Sequence, residues 1–171
     1  MTSAVLEAAG PATKAASGKY LTFLLGDESY GIPVLKIREI IRPMSITYVP
    51  QLPTYIKGVV NLRGKVIPIV DMRVKFDLSS HEMTDQTCVI IVEVQLENGS
   101  RPRIGFIVDG VEEVATFQSG DIEPPPNFGL QLDTGYILGM AKVRGAVKTL
   151  LDIDKVVACE TLQRVEQALG R

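Results

Sequence analysis

Two stretches of the chain place short apolar runs around a single Arg-Gly turn in nearly the same order. Tyr55-Ile-Lys-Gly-Val-Val-Asn-Leu-Arg-Gly-Lys-Val-Ile-Pro-Ile-Val-Asp71 reads as two apolar strands joined at Arg63-Gly64. Tyr136-Ile-Leu-Gly-Met-Ala-Lys-Val-Arg-Gly-Ala-Val-Lys-Thr-Leu-Leu-Asp152 has the same design. At an offset of 81 the two agree at Tyr55/Tyr136, Ile56/Ile137, Gly58/Gly139, Arg63/Arg144, Gly64/Gly145, Val66/Val147 and Asp71/Asp152. Most of these are places where backbone geometry restricts the residue, which points to a duplicated hairpin. A second match, at an offset of 74, joins Gly31/Gly105, Val34/Val108 and Glu39/Glu113. The difference between the offsets requires a short insertion, expected at Asn127 to Gly135, a glycine-containing stretch that reads as a loop.

The rest of the pattern predicts an all-β chain in the main. Tyr20 to Leu25 and Tyr30 to Ile32 read as strands around a Gly26-Asp-Glu-Ser29 turn, and Ile46 to Val49 as a third strand. Val34 to Ile41 suggests one or two helical turns with Val34, Ile37 and Ile40/Ile41 on one face. Lys57 to Leu62 and Lys65 to Val70 close a first module over residues 19–76. Thr87 to Gln95, Arg103 to Val108, Val114 to Gln118, Tyr136 to Val143 and Ala146 to Leu151 form a second over 87–152. Short strands with Gly and Pro turns suggest two small five-stranded SH3-like barrels with short helices, an arrangement that hides sheet edges. Pro68 argues for an edge or bulge position, because proline cannot donate a ladder hydrogen bond. Val156, Ala158, Leu162, Val165 and Leu169 share a helical stripe. They predict a C-terminal helix within 153–171 that packs on a barrel or receives a partner. Residues 1–18, rich in Ala, Gly, Ser and Thr, read as a flexible tail.

Composition narrows the function classes. The 171 residues carry a net charge of −2, without a Lys/Arg run to follow a phosphate backbone, so nucleic acid is not an expected partner. Cys88 and Cys159 lie outside any metal or redox spacing, and Cys88 opens the apolar run to Val92 as an expected buried, inert thiol. His81, the single histidine, sits in a polar stretch and reads as a solvated loop residue. No metal and no cofactor motif is found. The N-terminus lacks the basic and apolar regions of a secretory signal, and no run reaches the ~20 apolar residues of a membrane span, so a cytoplasmic protein without direct membrane insertion is expected.

Leu25-Gly-Asp-Glu-Ser-Tyr-Gly-Ile-Pro-Val-Leu-Lys-Ile-Arg-Glu-Ile40, then Ile56 to Arg73 with its Asn61-Leu-Arg-Gly64 block, then Ile107-Val-Asp-Gly-Val111 resemble the CheW family of chemotaxis coupling proteins. The resemblance runs from about Lys19 to Cys159, and no kinase or receiver sequence accompanies it. It implies a non-enzymatic adaptor that joins the cytoplasmic tips of chemoreceptors to the regulatory domain of a chemotaxis histidine kinase. It further implies recruitment to receptor arrays at the inner face of the membrane and receptor contact through Arg63 and Glu39, and with Val34, Ile37, Gly58, Asn61 and Leu62 these form the expected receptor-binding set.

The residues themselves leave alternatives open. Asp71 and Asp152 occupy equivalent places, so a carboxylate pair in a cleft between barrels could serve an enzyme. Each also precedes a short helical run, where its side chain would cap the first turn. Arg63 on a tight turn is either a recognition group on a rigid support or a structural partner of Glu39. In that turn Gly64 is expected to take the positive φ. Val34 and Ile37 face either the core or an apolar groove.

Overall fold

The computed structural model describes residues 17–76, 78, 83–125, 135–157 and 159–168. The strands are β1 (Gly18–Leu25), β2 (Glu28–Pro33), β3 (Ile37–Ile41), β4 (Ile56–Leu62), β5 (Lys65–Asp71), β6 (Cys88–Glu93), β7 (Arg103–Val108), β8 (Gly110–Phe117), β9 (Ile122–Glu123), β10 (Ile137–Val143) and β11 (Ala146–Leu151). The α-helices among the described residues are α1 (Met72–Lys75), between β5 and β6, and α2 (Ile153–Val156) and α3 (Cys159–Ala168), after β11. The flexible-tail expectation, apart from Ser17 and Gly18, and the solvated-loop expectation for His81 fall outside the described residues. Gly18 already pairs with Phe117 as the first residue of β1.

One sheet has the order β8-β1-β2-β11-β10-β9, the other β3-β6-β7-β5-β4. The division into modules 19–76 and 87–152 therefore does not coincide with the sheets: the hairpin β1–β2 completes the sheet of the second half, and β6–β7 that of the first. Omitting β9, the two orders are the same list under the duplication, with β8, β1, β2, β11 and β10 answering to β3, β6, β7, β5 and β4. Even the irregularities repeat. The β3–β6 ladder slips between Ile37 and Glu39, adding Arg38, and the β1–β8 ladder slips opposite Glu112, 74 residues later. The β4–β5 and β10–β11 ladders slip after Ile56 and Ile137. Neither sheet closes into a barrel by main-chain pairing from first strand to last. After β3 the chain reaches the opposite edge of the five-stranded sheet, where an isolated bridge joins Thr47 to Val59 of β4, Thr47 donating to and accepting from it at 2.8 and 2.9 Å. That bridge is what remains of the strand expected over Ile46 to Val49.

The exchange of hairpins creates three cores. Val60, Ile67, Ile69, Val89, Ile91 and Ile107 fill the curl of the five-stranded sheet, and Tyr20, Phe117, Ala141 and Leu150 that of the other. Between the sheets Leu21, Phe23 and Leu25 meet Val70, Ile90, Val92 and Phe106 in the largest cluster. Because successive residues of a strand point to opposite faces, a strand with cores on both sides reads as one unbroken apolar run. Val89 and Ile91 face one core and Ile90 and Val92 the other, which explains Cys88 to Val92. Cys88 itself is only half-buried, its thiol 3.3 Å from the Gln86 carbonyl oxygen. Phe23, Tyr30, Phe76 and Tyr136 form a near-parallel ring stack, with centroids 6.1, 5.7 and 5.4 Å apart, that ties β1 and β2 to the end of α1 and the approach to β10.

Several local expectations change for identifiable reasons. Val34 to Ile41 is a 3-10 turn, Val34–Lys36, followed by strand β3 rather than a helix. Its β-branched isoleucines pack better on a pleated surface, and the bulge at Arg38 places Ile37 in the large core and Ile41 in the curl core. Pro68 lies inside the interior strand β5, opposite Val59. Val59 directs both main-chain groups to Thr47, and the β5–β7 pairing begins only at Ile69, so the missing proline donor breaks no bond. The C-terminal helix is broken into α2 and α3, but the stripe behaves as expected where it is described: Val156, Leu162 and Val165 are buried in the large core. Ala158 and Leu169 fall outside the described residues.

The matched glycines are packing requirements. A Cβ on Gly31 would come within 2.9 Å of Leu150, and one on Gly105 within 2.8 Å of Ile69, equivalent contacts across the two parallel pairings. Gly58 is the most demanding. It has φ +145°, and a Cβ there would overlap the Thr47 carbonyl oxygen that completes the edge bridge. Gly58→Ala is expected to cost about 2–4 kcal/mol, combining overpacking with a disallowed φ. Gly64→Ala, also at positive φ but facing open space, should cost about 1 kcal/mol. Equal midpoint losses in urea for the two variants would contradict this account of the bridge.

Candidate functional site: the Arg63 hairpin

The β4–β5 connection is a two-residue turn in which both central residues are left-handed, Arg63 at φ 52° and Gly64 at φ 87°. This is the type I′ geometry that suits the twist of a hairpin, and Asn or Gly is its usual first residue. The positive φ expected at Gly64 is present, and Arg63 shares it. Asn61 makes the strained arginine tolerable: its Oδ1 accepts the Gly64 N–H at 2.9 Å across the turn. The second hairpin repeats the backbone at Arg144 (φ 51°) and Gly145 (φ 81°), with Lys142 in place of Asn61.

The turn presents Arg63 with about two-thirds of its side chain exposed, and its guanidinium donates to the Glu39 carboxylate on β3. That hydrogen bond, then the charge of Glu39, raises the Arg63 pKa and keeps the group cationic. The structural alternative is met, since Arg63 bridges Glu39, and the group still offers most of its surface. Exposed pairs of this kind add little to stability, so the bridge mainly fixes direction. Because β3 and β4 are opposite edges of their sheet, the pair also spans the gap that main-chain pairing leaves open.

The remaining candidates divide between the hairpin and the core between the sheets. Leu62 is half-buried against the curl core, and Val34 and Ile37 are half-buried against the large core. Gly58 is pressed on the edge bridge and Asn61 holds the turn. Near the hairpin, Arg63 and Glu39 are left as the groups that combine exposure with directional hydrogen bonding.

Asp71 and Asp152 are helix caps. Asp71 accepts the Arg73 N–H at 3.0 Å and Asp152 the Asp154 N–H at 3.1 Å, as expected for a carboxylate at a helix start. Asp71 is fully buried and also receives the Arg73 guanidinium at 3.0 and 3.1 Å. Arg73 in turn reaches Asp109 at 3.0 Å, and Asp109 accepts the Gly26 N–H at 2.6 Å. The Asp71 hydrogen bond leads the influences that raise the Arg73 pKa. Asp71 is buried and ion-paired to Arg73, and each aspartate caps the start of its own helix, so the enzyme reading of the aspartate pair is not supported. Sequence reasoning overlooked Arg73, although its place two residues after a capping aspartate is where a side chain can fold back onto the cap. At the equivalent place after Asp152, Asp154 has the opposite sign; it binds Lys36 at 2.8 Å and accepts the Gln95 N–H at 2.8 Å.

Exchanged hairpins and a repeated arginine-tipped turn place the chain among duplicated two-sheet β proteins. Residues 19–160 match the CheW-like domain. The chain is 36% identical over 148 residues to the chemotaxis protein CheW of Klebsiella aerogenes, covering 86% of each protein. It is 32% identical to the CheW of Helicobacter pylori, covering 81% of each. It also matches the protein FrzA of Myxococcus xanthus at 28% identity, over 74% of this chain and 76% of that protein. The crystal structure of the scaffolding protein TtCheW from Thermoanaerobacter tengcongensis aligns with a TM-score of 0.69 at 32% identity, covering 79% of this chain and 88% of the other. The chain belongs to the CheW family of chemotaxis scaffolding proteins. Among the described residues no helix is long and apolar enough to cross a membrane.

Proposed function

We propose that the protein is a non-enzymatic adaptor that couples the cytoplasmic tips of chemoreceptors to the regulatory domain of a chemotaxis histidine kinase, within arrays at the inner face of the membrane. The observation that carries the reading for the site is the exposed Arg63 fork, aimed by Glu39 and set on a turn that Asn61 holds in a strained conformation. A planar donor already ordered in this way can bind a carboxylate or backbone carbonyls with little further loss of side-chain entropy. Arg63 and Glu39 are the direct receptor contacts in this reading. Val34, Ile37 and Leu62 supply the apolar surround, and Gly58 and Asn61 keep the hairpin in place. The duplicated sheets offer two similar but non-identical faces, which suits a protein that holds two partners at once.

Copurification with a tagged form of the chain from its native cells tests the proposal. Chemoreceptors and a chemotaxis kinase are expected together in the eluate. Recovery of neither, from cells that express both, would overturn the reading.

A further inference from the structure

Of the asparagines Asn61, Asn98 and Asn127, only Asn98 precedes a glycine. Asn98 and Gly99 form the exposed tip of the hairpin between β6 and β7. Glycine leaves its own amide nitrogen unshielded, so that nitrogen can attack the preceding asparagine side chain and close a five-membered succinimide. Backbone conformation governs the reaction, and at this tip the backbone is held.

The Gly99 N–H donates to the Leu96 carbonyl oxygen at 3.0 Å and closes a turn over Glu97 and Asn98. Gly99 has φ +87°, whereas Glu97 and Asn98 are not left-handed. This is a type I turn followed by a left-handed glycine, a common three-residue hairpin connection. A type I turn sets ψ at about 0° at its second central residue, here Asn98. At that angle the Gly99 nitrogen is turned away from the Asn98 side chain, whereas the succinimide requires the two to be nearly eclipsed about the Cα–C bond. The side chain is pinned as well: the Ser100 N–H and hydroxyl donate to Asn98 Oδ1 at 2.9 and 2.7 Å. Below the tip, Val94 and Leu96 are buried in the large core, and their N–H groups donate across the hairpin to Pro102 and Ser100, each at 3.0 Å.

We propose that Asn98 is a self-modification site, a deamidation centre whose rate is set by opening of the β6–β7 tip. In the open tip the Gly99 nitrogen loses its proton to solvent hydroxide and bonds to Asn98 Cγ. The Cγ–N bond of the side-chain amide breaks, and ammonia leaves. Water then opens the succinimide at either carbonyl, which gives aspartate or isoaspartate at this position. Both products add a negative charge between Glu97 and Arg101. Isoaspartate also lengthens the main chain by one carbon, so the turn and the Leu96–Ser100 pairing cannot re-form in register. The native tip acts as a brake, and each failure of the brake leaves a permanent mark beneath which Val94 and Leu96 lose their support.

Peptide mass spectrometry on the full-length chain, incubated in mildly alkaline buffer, reads the acid form at Asn98, and an isoaspartyl methyltransferase measures the isoaspartate. Three hydrogen bonds must break before reaction, so the folded chain is expected to react about a hundredfold more slowly than the same chain in urea. Ser100→Ala removes one of them and should speed the folded chain about fivefold, with the rate in urea unchanged. Circular dichroism confirms that this variant keeps the fold. The isoaspartate fraction, separated by charge, should unfold at lower urea than fresh protein. Equal rates in the folded and unfolded chains would overturn the brake, as would a Ser100→Ala chain that reacts no faster than the unsubstituted one. An isoaspartate fraction as stable as fresh protein would contradict the lost support. A folded chain without the acid form after about a thousand unfolded-chain half-times, beyond what three hydrogen bonds protect, would overturn the site itself. No readout involves a receptor or a kinase, so the outcome is independent of the adaptor reading.

Discussion

Arg73→Ala is expected to lower the unfolding free energy by about 3–5 kcal/mol, because it leaves the Asp71 carboxylate buried without its cation. Stabilities of small domains are about 5–15 kcal/mol, so the loss should be plain in any denaturant titration. The geometry that sets the size of the effect is the fork: Nε and Nη2 meet the two oxygens of Asp71, while Nη1 reaches Asp109. Asp109 lies in the crossover from β7 to β8, and its other oxygen holds the β1–β2 turn through Gly26. One guanidinium thus fastens the helix that follows the five-stranded sheet to a hairpin of the other sheet. Arg73→Lys keeps the charge but not the fork and should recover part of the loss. Removing the anion together with the cation, as in Asp71→Asn/Arg73→Met, should be milder than Arg73→Ala. A loss below about 1 kcal/mol for Arg73→Ala would show that water replaces the arginine, and that the network does not lock the sheets together.

Arg63→Asp is expected to weaken binding of a receptor-tip fragment by about thirtyfold, the range of a hot-spot residue at an interface. Affinity for the kinase regulatory domain should remain near that of the unsubstituted chain, and the thermal midpoint should change little, since an exposed ion pair adds little to stability. The substitution also sets a carboxylate opposite Glu39, so the repulsion reinforces the loss of the donor. Arg144→Asp, on a turn of the same backbone form, should do much less to receptor binding, because its surroundings differ at Lys142 and Val143. If Arg63 were structural, its replacement would lower the midpoint and weaken both partners together.

Much of the fold was legible because duplication leaves its mark where geometry is least forgiving. Gly31 and Gly105 recur because each lies under a large side chain of the neighbouring parallel strand. Arg63-Gly64 and Arg144-Gly145 recur because a two-residue hairpin admits few sequences. Asp71 and Asp152 recur because each caps a short helix. Chain order, however, cannot reveal which sheet a hairpin joins. β1 and β2 have the same alternation whether they pair within their own half or across it, so the exchange became visible only with the parallel β2–β11 and β5–β7 pairings.

The site divides in the same way. A turn arginine declares itself through its neighbours in sequence, whereas its bond to Glu39, 24 residues earlier, depends on the curl of the sheet. Val34 and Ile37 were read on a helical face because their spacing of three fits a helix. The 3-10 turn Val34–Lys36 produces the same spacing, since residues three apart eclipse in a 3-10 turn and both side chains reach the large core. Arg73 was invisible as a buried group because arginine is rarely buried unless paired, and its more distant partner, Asp109, lies 36 residues away.

The central claim is that one chain holds a receptor and a kinase at the same time. A three-component titration by analytical ultracentrifugation tests it most directly, using the purified chain, a receptor-tip fragment and the kinase regulatory domain. The account predicts a ternary complex that requires this protein, forms when all three are mixed, and loses the receptor fragment alone when Arg63→Asp is substituted. Receptor and kinase fragments that displace one another from the chain, or that leave it unbound at concentrations where each is folded, would contradict it.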